Sequence, residues 1–303
     1  MIKVTVLGNN SALPAFDRHP TAQVIEIREQ LFLMDCGEGT QKQMSKYGVH
    51  IGHINHIFIS HLHGDHYFGL IGLLSSMALW NRQKPVYLYA PEPLKAIIAL
   101  QLDAVGARLP YDLVFKALDT GFAGVLLDTE YYAVDCFPVN HRVPCHGFIF
   151  REKSGGRKIN PEACHERAIP KAFYPHLKKG EDYRQKDGTV VPNGLLTFEA
   201  PPEKVYAFCA DTRYDRQIIP YVQNADIIYH ESTFLSDNEE KAFARFHSTA
   251  RQAAQLAAEA HAGKLLLGHY SSRYQDISAF ENEAKTVFAN SEASVEGNSY
   301  IIK

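Results

Sequence analysis

The sequence predicts an α/β protein, and three observations carry that reading. Short apolar runs rich in β-branched and aromatic residues recur from Ile2 to Leu267, helix-like stretches separate them, and His or Asp residues stand where several of these runs give way to loops. With 303 residues, 46% of them hydrophobic, the chain can bury a full core in one large domain or two smaller ones.

The elements follow in order. Ile2, Val4 and Val6 alternate as a strand that ends at Gly8-Asn9-Asn10-Ser11, and a Pro-containing loop runs on to Thr21. Runs at 23–28 and 31–35, joined by Glu29-Gln30, extend this into a small antiparallel meander. After Asp35-Cys36-Gly37-Glu38-Gly39-Thr40 a short helix reaches Lys46 and stops near Gly48. A strand at 57–60 then leads straight into His61-Leu62-His63-Gly64-Asp65-His66. Residues 67–80 are apolar almost all round, which predicts a helix buried behind that loop. A strand at 86–89 follows, then a helix opened by Pro91-Glu92-Pro93 and running to about Val105, with proline tolerated in its first turn. Strands recur at 113–116, 131–137 and 147–151. From Ser154 to about Pro202 the periodicity lapses amid Gly, Pro and charged residues, which predicts an inserted arm or extended loop, 154–202. Order resumes with strands at 205–208 and 227–229 and a helix from Thr249 to His261, whose Thr249–Gln252 spacing is that of a capping box. A strand at 265–267 and a helix near 278–289 complete a single domain, 1–303.

A formal charge of -3 offers no global attraction to nucleic acid. Its distribution is uneven, because residues 151–190 hold ten Lys/Arg against six Asp/Glu. The five cysteines are scattered and never form a C-x-x-C pair, which argues against a disulfide framework and against a thiolate metal site. No apolar run approaches the roughly 18 residues of a membrane span, so no membrane partner is expected and the cytoplasm is the default compartment.

The chemistry concentrates in residues 61–66. Fifteen histidines make any single one a weak signal, but three imidazoles and a carboxylate on one short loop are hard to satisfy without a cation. His61 and His63, two apart on an extended strand end, can grip one ion together, and Asp65 and His66 follow Gly64, where the chain can turn toward a second. Four ligands are too few for two ions. His141, Asp211 and His269 each stand where an apolar run ends, and Asp211 suits a shared bridging position.

With these residues in view, the chain resembles the metallo-β-lactamase superfamily, whose signature is His-x-His-x-Asp-His after a strand with later isolated His, Asp and His. More closely it resembles the ribonuclease Z family of tRNA 3′-processing endonucleases. That likeness rests on Asn10-Ser11-Ala12-Leu13-Pro14 with Arg18 and Thr21, Asp35 to Gln41, the cluster itself, Asp211-Thr212-Arg213 and His230-Glu231-Ser232-Thr233-Phe234. His247-Ser248-Thr249 and Gly268-His269-Tyr270-Ser271-Ser272-Arg273-Tyr274 complete it.

The resemblance implies an αββα sandwich of the metallo-β-lactamase type with an inserted arm. It also implies two Zn2+ per chain, with Mn2+ as the alternative ion: His61, His63 and His141 on one, Asp65, His66 and His269 on the other, and Asp211 between them. It implies removal of the 3′ trailer from precursor tRNA by metal-activated water attack, leaving a 3′-hydroxyl on the tRNA, and a homodimer in which one subunit's arm serves the other's site. Asp65 would orient the nucleophile or take its proton, or act as a ligand alone. His247 is the candidate general acid, oriented by Glu231. Asp35 would hold a ligand imidazole through its second nitrogen or cap the turn before Gly37. Ser271 and Arg273 would bind a phosphate or only shape their loop. Lys171, Lys178, Lys179, Arg184 and Lys186, with Phe173 and Tyr174, would track an RNA backbone or form a solvated charged loop. The Gly-Pro element that the family carries ahead of its basic segment is missing from Ile169 to Asp182, and Ala210 stands before Asp211 where the family usually has glycine. Two other readings keep the fold: a hydrolase of small phosphodiesters or thioesters, and a non-catalytic RNA-binding homologue.

Overall fold

Alternation along the first strand shows how the layers form. In β1 (Ile2–Gly8), Ile2, Val4 and Val6 face Phe148, Phe150, Tyr206 and Phe208 of a second sheet, while Leu7, past a register shift, packs on the opposite side. The computed structural model describes residues 1–303. β2 (Ala22–Ile27) and β3 (Gln30–Met34) complete an antiparallel meander with β1. Pairing then turns parallel through β4 (Ile54–Phe58), β5 (Val86–Pro91) and β6 (Leu113–Leu118). Parallel neighbours need crossovers, and the helices Thr40–Lys46, Leu70–Leu79 and Pro93–Asp103 supply them.

β7 (Gly124–Asp128), β8 (Tyr132–Pro138) and β9 (His146–Glu152) run antiparallel. The segment beyond holds two ribbons of two-residue strands, β10 (Lys158–Ile159) with β13 (Thr197–Phe198) and β11 (Tyr183–Arg184) with β12 (Val190–Val191). β14 (Lys204–Cys209) pairs antiparallel with β9 and parallel with β15 (Ile227–Glu231), which continues parallel to β16 (Lys264–Gly268) and β17 (Ser291–Ala293). Finally β18 (Ser299–Ile302) returns to pair with β1. The sheet orders are β18-β1-β2-β3-β4-β5-β6 and β17-β16-β15-β14-β9-β8-β7.

One apolar cluster lies between the sheets, where Phe58 stacks on Tyr89 at 4.6 Å and meets Phe148 edge-on at 5.5 Å. Two more lie between each sheet and its outer helices, which makes the αββα sandwich. The helix Ala250–Glu259 buries Ala253, Leu256 and Ala257, and Thr249 and Gln252 form the reciprocal capping box at its start. No helix is long and apolar enough to cross a membrane.

Three expectations need correction. The strand before the histidine cluster is Ile54–Phe58, not 57–60. Residues 67–80 do not form one buried helix, because the chain breaks at Phe68-Gly69, and Phe68, Leu79 and Trp80 are 63%, 84% and 63% exposed. Apolar character all round hid an outward face. The Gly/Pro-rich segment is also more regular than its composition suggests: its helices Pro161–Glu166, Tyr174–Lys178 and Asn193–Leu196 close over Cys164, Ile169, Leu177, Val191 and Leu196. β7, β17 and β18 are additional strands that the pattern did not disclose, each only three to five residues long.

Leu177 is fully buried in that five-residue cluster. Leu177→Ala should cost about 2–5 kcal/mol locally, opening residues 154–202 to limited proteolysis while the thermal transition of the sandwich stays in place. A lowered transition with no new cleavage there would show instead that the segment and the sandwich unfold together.

Candidate metal centre

Both sheets present the carboxyl ends of parallel strands to one place, the usual position for a site in such sheets. After β4 the chain continues through Ile59 and Ser60 in irregular backbone, so His61 and His63 lie beyond the strand rather than on it. The one-turn helix Gly64–Tyr67 then turns Asp65 and His66 inward. From the second sheet, Asp211 follows β14, Glu231 ends β15 and His269 follows β16. Gly268 is required by close approach, since a Cβ there would collide with the ring and hydroxyl of Tyr229. His269 itself takes φ 58°, Asp35 56° and Phe246 62°, left-handed conformations that cost a residue bearing a side chain on the order of 1–3 kcal/mol.

The donor atoms fall into two adjoining sets, one of His61, His63, His141 and Asp211, the other of Asp65, His66 and His269, with a third grouping of Asp211, His247 and His269 overlapping both, the atoms of each within 4.8 Å of one another. In the first, His61 Nε2 is 2.9 Å and His141 Nε2 3.2 Å from His63 Nδ1. In the second, His66 Nε2 and His269 Nε2 are 3.3 Å apart, and Asp65 Oδ2 is 3.3 Å from His269 Nε2. Asp211 reaches both: Oδ2 lies 3.6 Å from His61 Nε2 and 3.9 Å from His141 Nε2, Oδ1 3.5 Å from His66 Nε2 and 3.2 Å from His269 Nε2.

The fit to a divalent cation can be tested on these atoms alone. Asp211 Oδ1 is buried and makes no hydrogen bond, although two imidazole nitrogens lie within 3.5 Å. A carboxylate so placed needs a cation, and nitrogen and oxygen donors converging around it suit zinc or manganese. Electrostatics agree. Burial pulls the His66 imidazole down, yet Asp211, Asp65 and Asp35 together hold it well above the ordinary histidine value. The negative potential that keeps a proton there would hold a dication as well.

Around the donors lies a ring of supporting bonds. Asp35 accepts from Ser60 N at 2.7 Å and Ser60 Oγ at 2.9 Å, and its Oδ2 takes the His66 Nδ1 proton at 2.7 Å. Asp35 therefore engages an imidazole rather than only capping its turn. His141 Nδ1 donates to the Phe246 carbonyl at 3.0 Å, Thr233 Oγ1 lies 2.9 Å from His269 Nδ1, and Ala12 N donates to Asp65 Oδ2 at 2.6 Å. Sequence reading gave Ser60, Thr233 and Ala12 no role of their own; Ala12 and Thr233 lie within motifs that carry the family resemblance, and Ser60 directly precedes the histidine cluster.

His247 stands beside both sets, its ring 5.4 Å from that of His141 and 5.5 Å from that of His269. Its Nδ1 meets Glu231 Oε1 at 2.9 Å. Glu231 is fully buried and also accepts from Thr212 N, Thr233 N, Thr233 Oγ1 and Ser248 N. Burial lowers the His247 pKa, but Glu231 outweighs it by charge and hydrogen bond and raises it to about 9. Ser271 Oγ accepts from Arg273 N at 3.4 Å and so serves its own turn. Lys171 and Lys178 line a basic cavity with Arg28, Arg157 and Lys158 that shares no residue with the metal centre, and Lys179 lies outside it.

The sandwich and its histidine-rich seam are those of a metallo-β-lactamase fold. The structure matches that of the metallo-β-lactamase fold protein YhfI from Bacillus subtilis with a TM-score of 0.69, covering 99% of this chain and 100% of the other at 20% sequence identity. A family model described as Anti-Pycsar protein Apyc1 matches residues 2–115. Ribonuclease Z of Porphyromonas gingivalis is 40% identical over 285 residues, 94% of each chain. The crystal structure of human tRNase Z, short form, matches with a TM-score of 0.72 at 25% identity over 99% of both chains. The chain belongs to the ribonuclease Z family and is a metal-dependent endoribonuclease, a hydrolase of phosphodiester bonds.

Because outer hydrogen-bond partners typically tune metal affinity 10–100-fold, Asp35→Asn should weaken metal binding by about that factor. Competition against a chelator measures it, and an unchanged affinity would reduce Asp35 to a turn residue.

Proposed function

We propose that this chain removes the 3′ trailer from precursor tRNA as a zinc-dependent endoribonuclease. The observation that carries the proposal is His247, its Nδ1 held 2.9 Å from the buried Glu231 carboxylate beside two adjoining donor sets. In this reading His61, His63 and His141 would hold one divalent ion and Asp65, His66 and His269 a second, with Asp211 available to both. Bound there, such ions would supply an acidified water and neutralise charge on the phosphate.

The chain's own groups do the rest. Asp65 has Oδ2 anchored by Ala12 N, which leaves Oδ1 to orient the attacking water. Glu231 occupies His247 Nδ1, so Nε2 is the proton donor to the leaving 3′-oxygen of the tRNA. The raised pKa keeps that proton in place at neutral pH. Arg273, free of any ion pair, is the phosphate contact on the reacting strand, and Lys171, Lys178 and Lys179 of the arm follow the tRNA backbone. The five cysteines, all free thiols, suit a cytoplasmic enzyme.

The decisive experiment gives the purified, metal-loaded protein a precursor tRNA with a 3′ trailer. Cleavage leaving a 3′-hydroxyl supports the proposal; hydrolysis of small diesters with the trailer uncut, or less than one metal per chain, would sink it. In the same assay His247→Ala should slow cleavage by about 10²–10⁴-fold without releasing metal. The native enzyme should lose rate as alkaline pH strips the His247 proton, and His247→Ala should not show that fall; loss of metal would make the residue structural. Lys171→Glu with Lys178→Glu should raise KM and leave kcat unchanged, and an unchanged KM would remove the arm from binding.

Phe68 and Trp80, each 63% exposed, line one groove with Ile71, an apolar surface that suits a second copy of the chain, the arm of one subunit serving the site of the other. Light scattering should return twice the 34.0 kDa chain mass, and Trp80→Glu should halve it. A native monomer would rule the dimer out.

A further inference from the structure

Beside His247 the surface carries a layered stack that neither metal ligation nor proton transfer uses. Arg213, two residues past Asp211, lays its guanidinium on two phenyl rings, with Cζ 4.0 Å from the centroid of Phe243 and 3.5 Å from that of Phe246. Its Nε donates to the Phe243 carbonyl at 2.7 Å, which fixes the guanidinium plane. The inner end of the stack is tied to the centre. Phe246 gives its carbonyl to His141 Nδ1 at 3.0 Å, its ring meets the His141 imidazole edge-on at 6.4 Å, and the next residue is His247. The outer end is open, since Phe243 is 62% exposed.

The ring of Phe243, open to water on one side and held on the other by the Arg213 guanidinium, is an ordered aromatic platform. The surroundings indicate what it suits. Arg213 has no carboxylate partner, and neither have Lys241, whose ammonium lies 5.6 Å from the Phe234 ring, nor Arg245 and Arg273, which both act electrostatically on Lys241. An exposed aromatic face backed by a guanidinium, with unpaired cations in the same region, suits an unpaired nucleotide: the base stacks on the ring while cations meet its phosphates.

We infer that Phe243, backed by Arg213 and Phe246, is the stacking step for the base of the unpaired nucleotide that carries the leaving 3′-oxygen of the RNA. The inference rests on the endoribonuclease reading above. Its side of the cut follows from chemistry. His247 delivers a proton to the 3′-oxygen, so the sugar bearing that oxygen lies against His247, and the stack begins one residue away. Cation–π contact with Arg213 leaves Phe243 few alternative rotamers, so little ordering is needed when the base arrives.

The test pairs a protein change with a substrate change. Metal-loaded native enzyme and Phe243→Ala are each given precursor tRNA with either a natural or an abasic nucleotide immediately 5′ of the cut, and kcat/KM is measured. Removing the ring should cost about tenfold or more on the natural substrate. Removing the base should cost the native enzyme a similar factor, Phe243→Ala should cut the two substrates alike, and Phe243→Trp should restore the native value. Phe243→Ala equal to native on the natural substrate, or losses that multiply when ring and base are both removed, would overturn the inference. So would a variant blind to a missing base on the trailer side instead, which would assign the stack to the other strand segment. Failure of the native enzyme to cut any precursor tRNA is a separate result, striking the endoribonuclease reading itself.

Discussion

Asp211 is the constraint on which the rest of the molecule depends. Its carboxylate is 2% exposed, lies between imidazoles from both sheets, and has one oxygen that no donor satisfies. Such a group is tolerable only beside a cation. The packing brings this about: two sheets pressed together by the aromatic layer of Phe58, Phe148, Phe150 and Tyr206 bring the end of β14 against the loop after β4. A shift of one sheet past the other would separate His61 and His66 from Asp211 and His269. The core is therefore also the tolerance of the metal centre.

Much of this was legible in sequence for a simple reason. His61, His63, Asp65 and His66 crowd one turn, and His141, Asp211 and His269 each end an apolar run, so periodicity and its interruption mark them. The structure brings all seven together. What was not legible lacks a period. Ser60 and Thr233 are ordinary hydroxyl residues whose importance is geometric, visible only when Asp35 and His269 are seen to face them. The outward face of residues 68–80 was hidden because an apolar stretch reads the same whether a core or water lies beyond it. β7 is short and lies at the edge of its sheet, with no fully buried residue to show alternation.

The site also concentrates backbone strain. Asp35, Phe246 and His269 all hold left-handed conformations, and each is fixed by partners on another segment: Asp35 by Ser60 and His66, Phe246 by Arg213 and His141, His269 by Thr233. No single loop dictates its own shape here. Glu231 extends the same logic to His247, because its five donors come from three different loops and place His247 relative to the donor sets rather than relative to the helix that follows it.

The pairing of β18 with β1 joins Ile2 to Ile302, and Asp65 meets a histidine 204 positions further along. During synthesis, then, the first sheet lacks an edge strand until residues 299–302 have been made, and Asp65 lacks His269 for the 204 residues that separate them. A shorter nascent chain has no complete donor set. The long-range closure that makes such a topology slow to fold also postpones the assembly of its reaction centre.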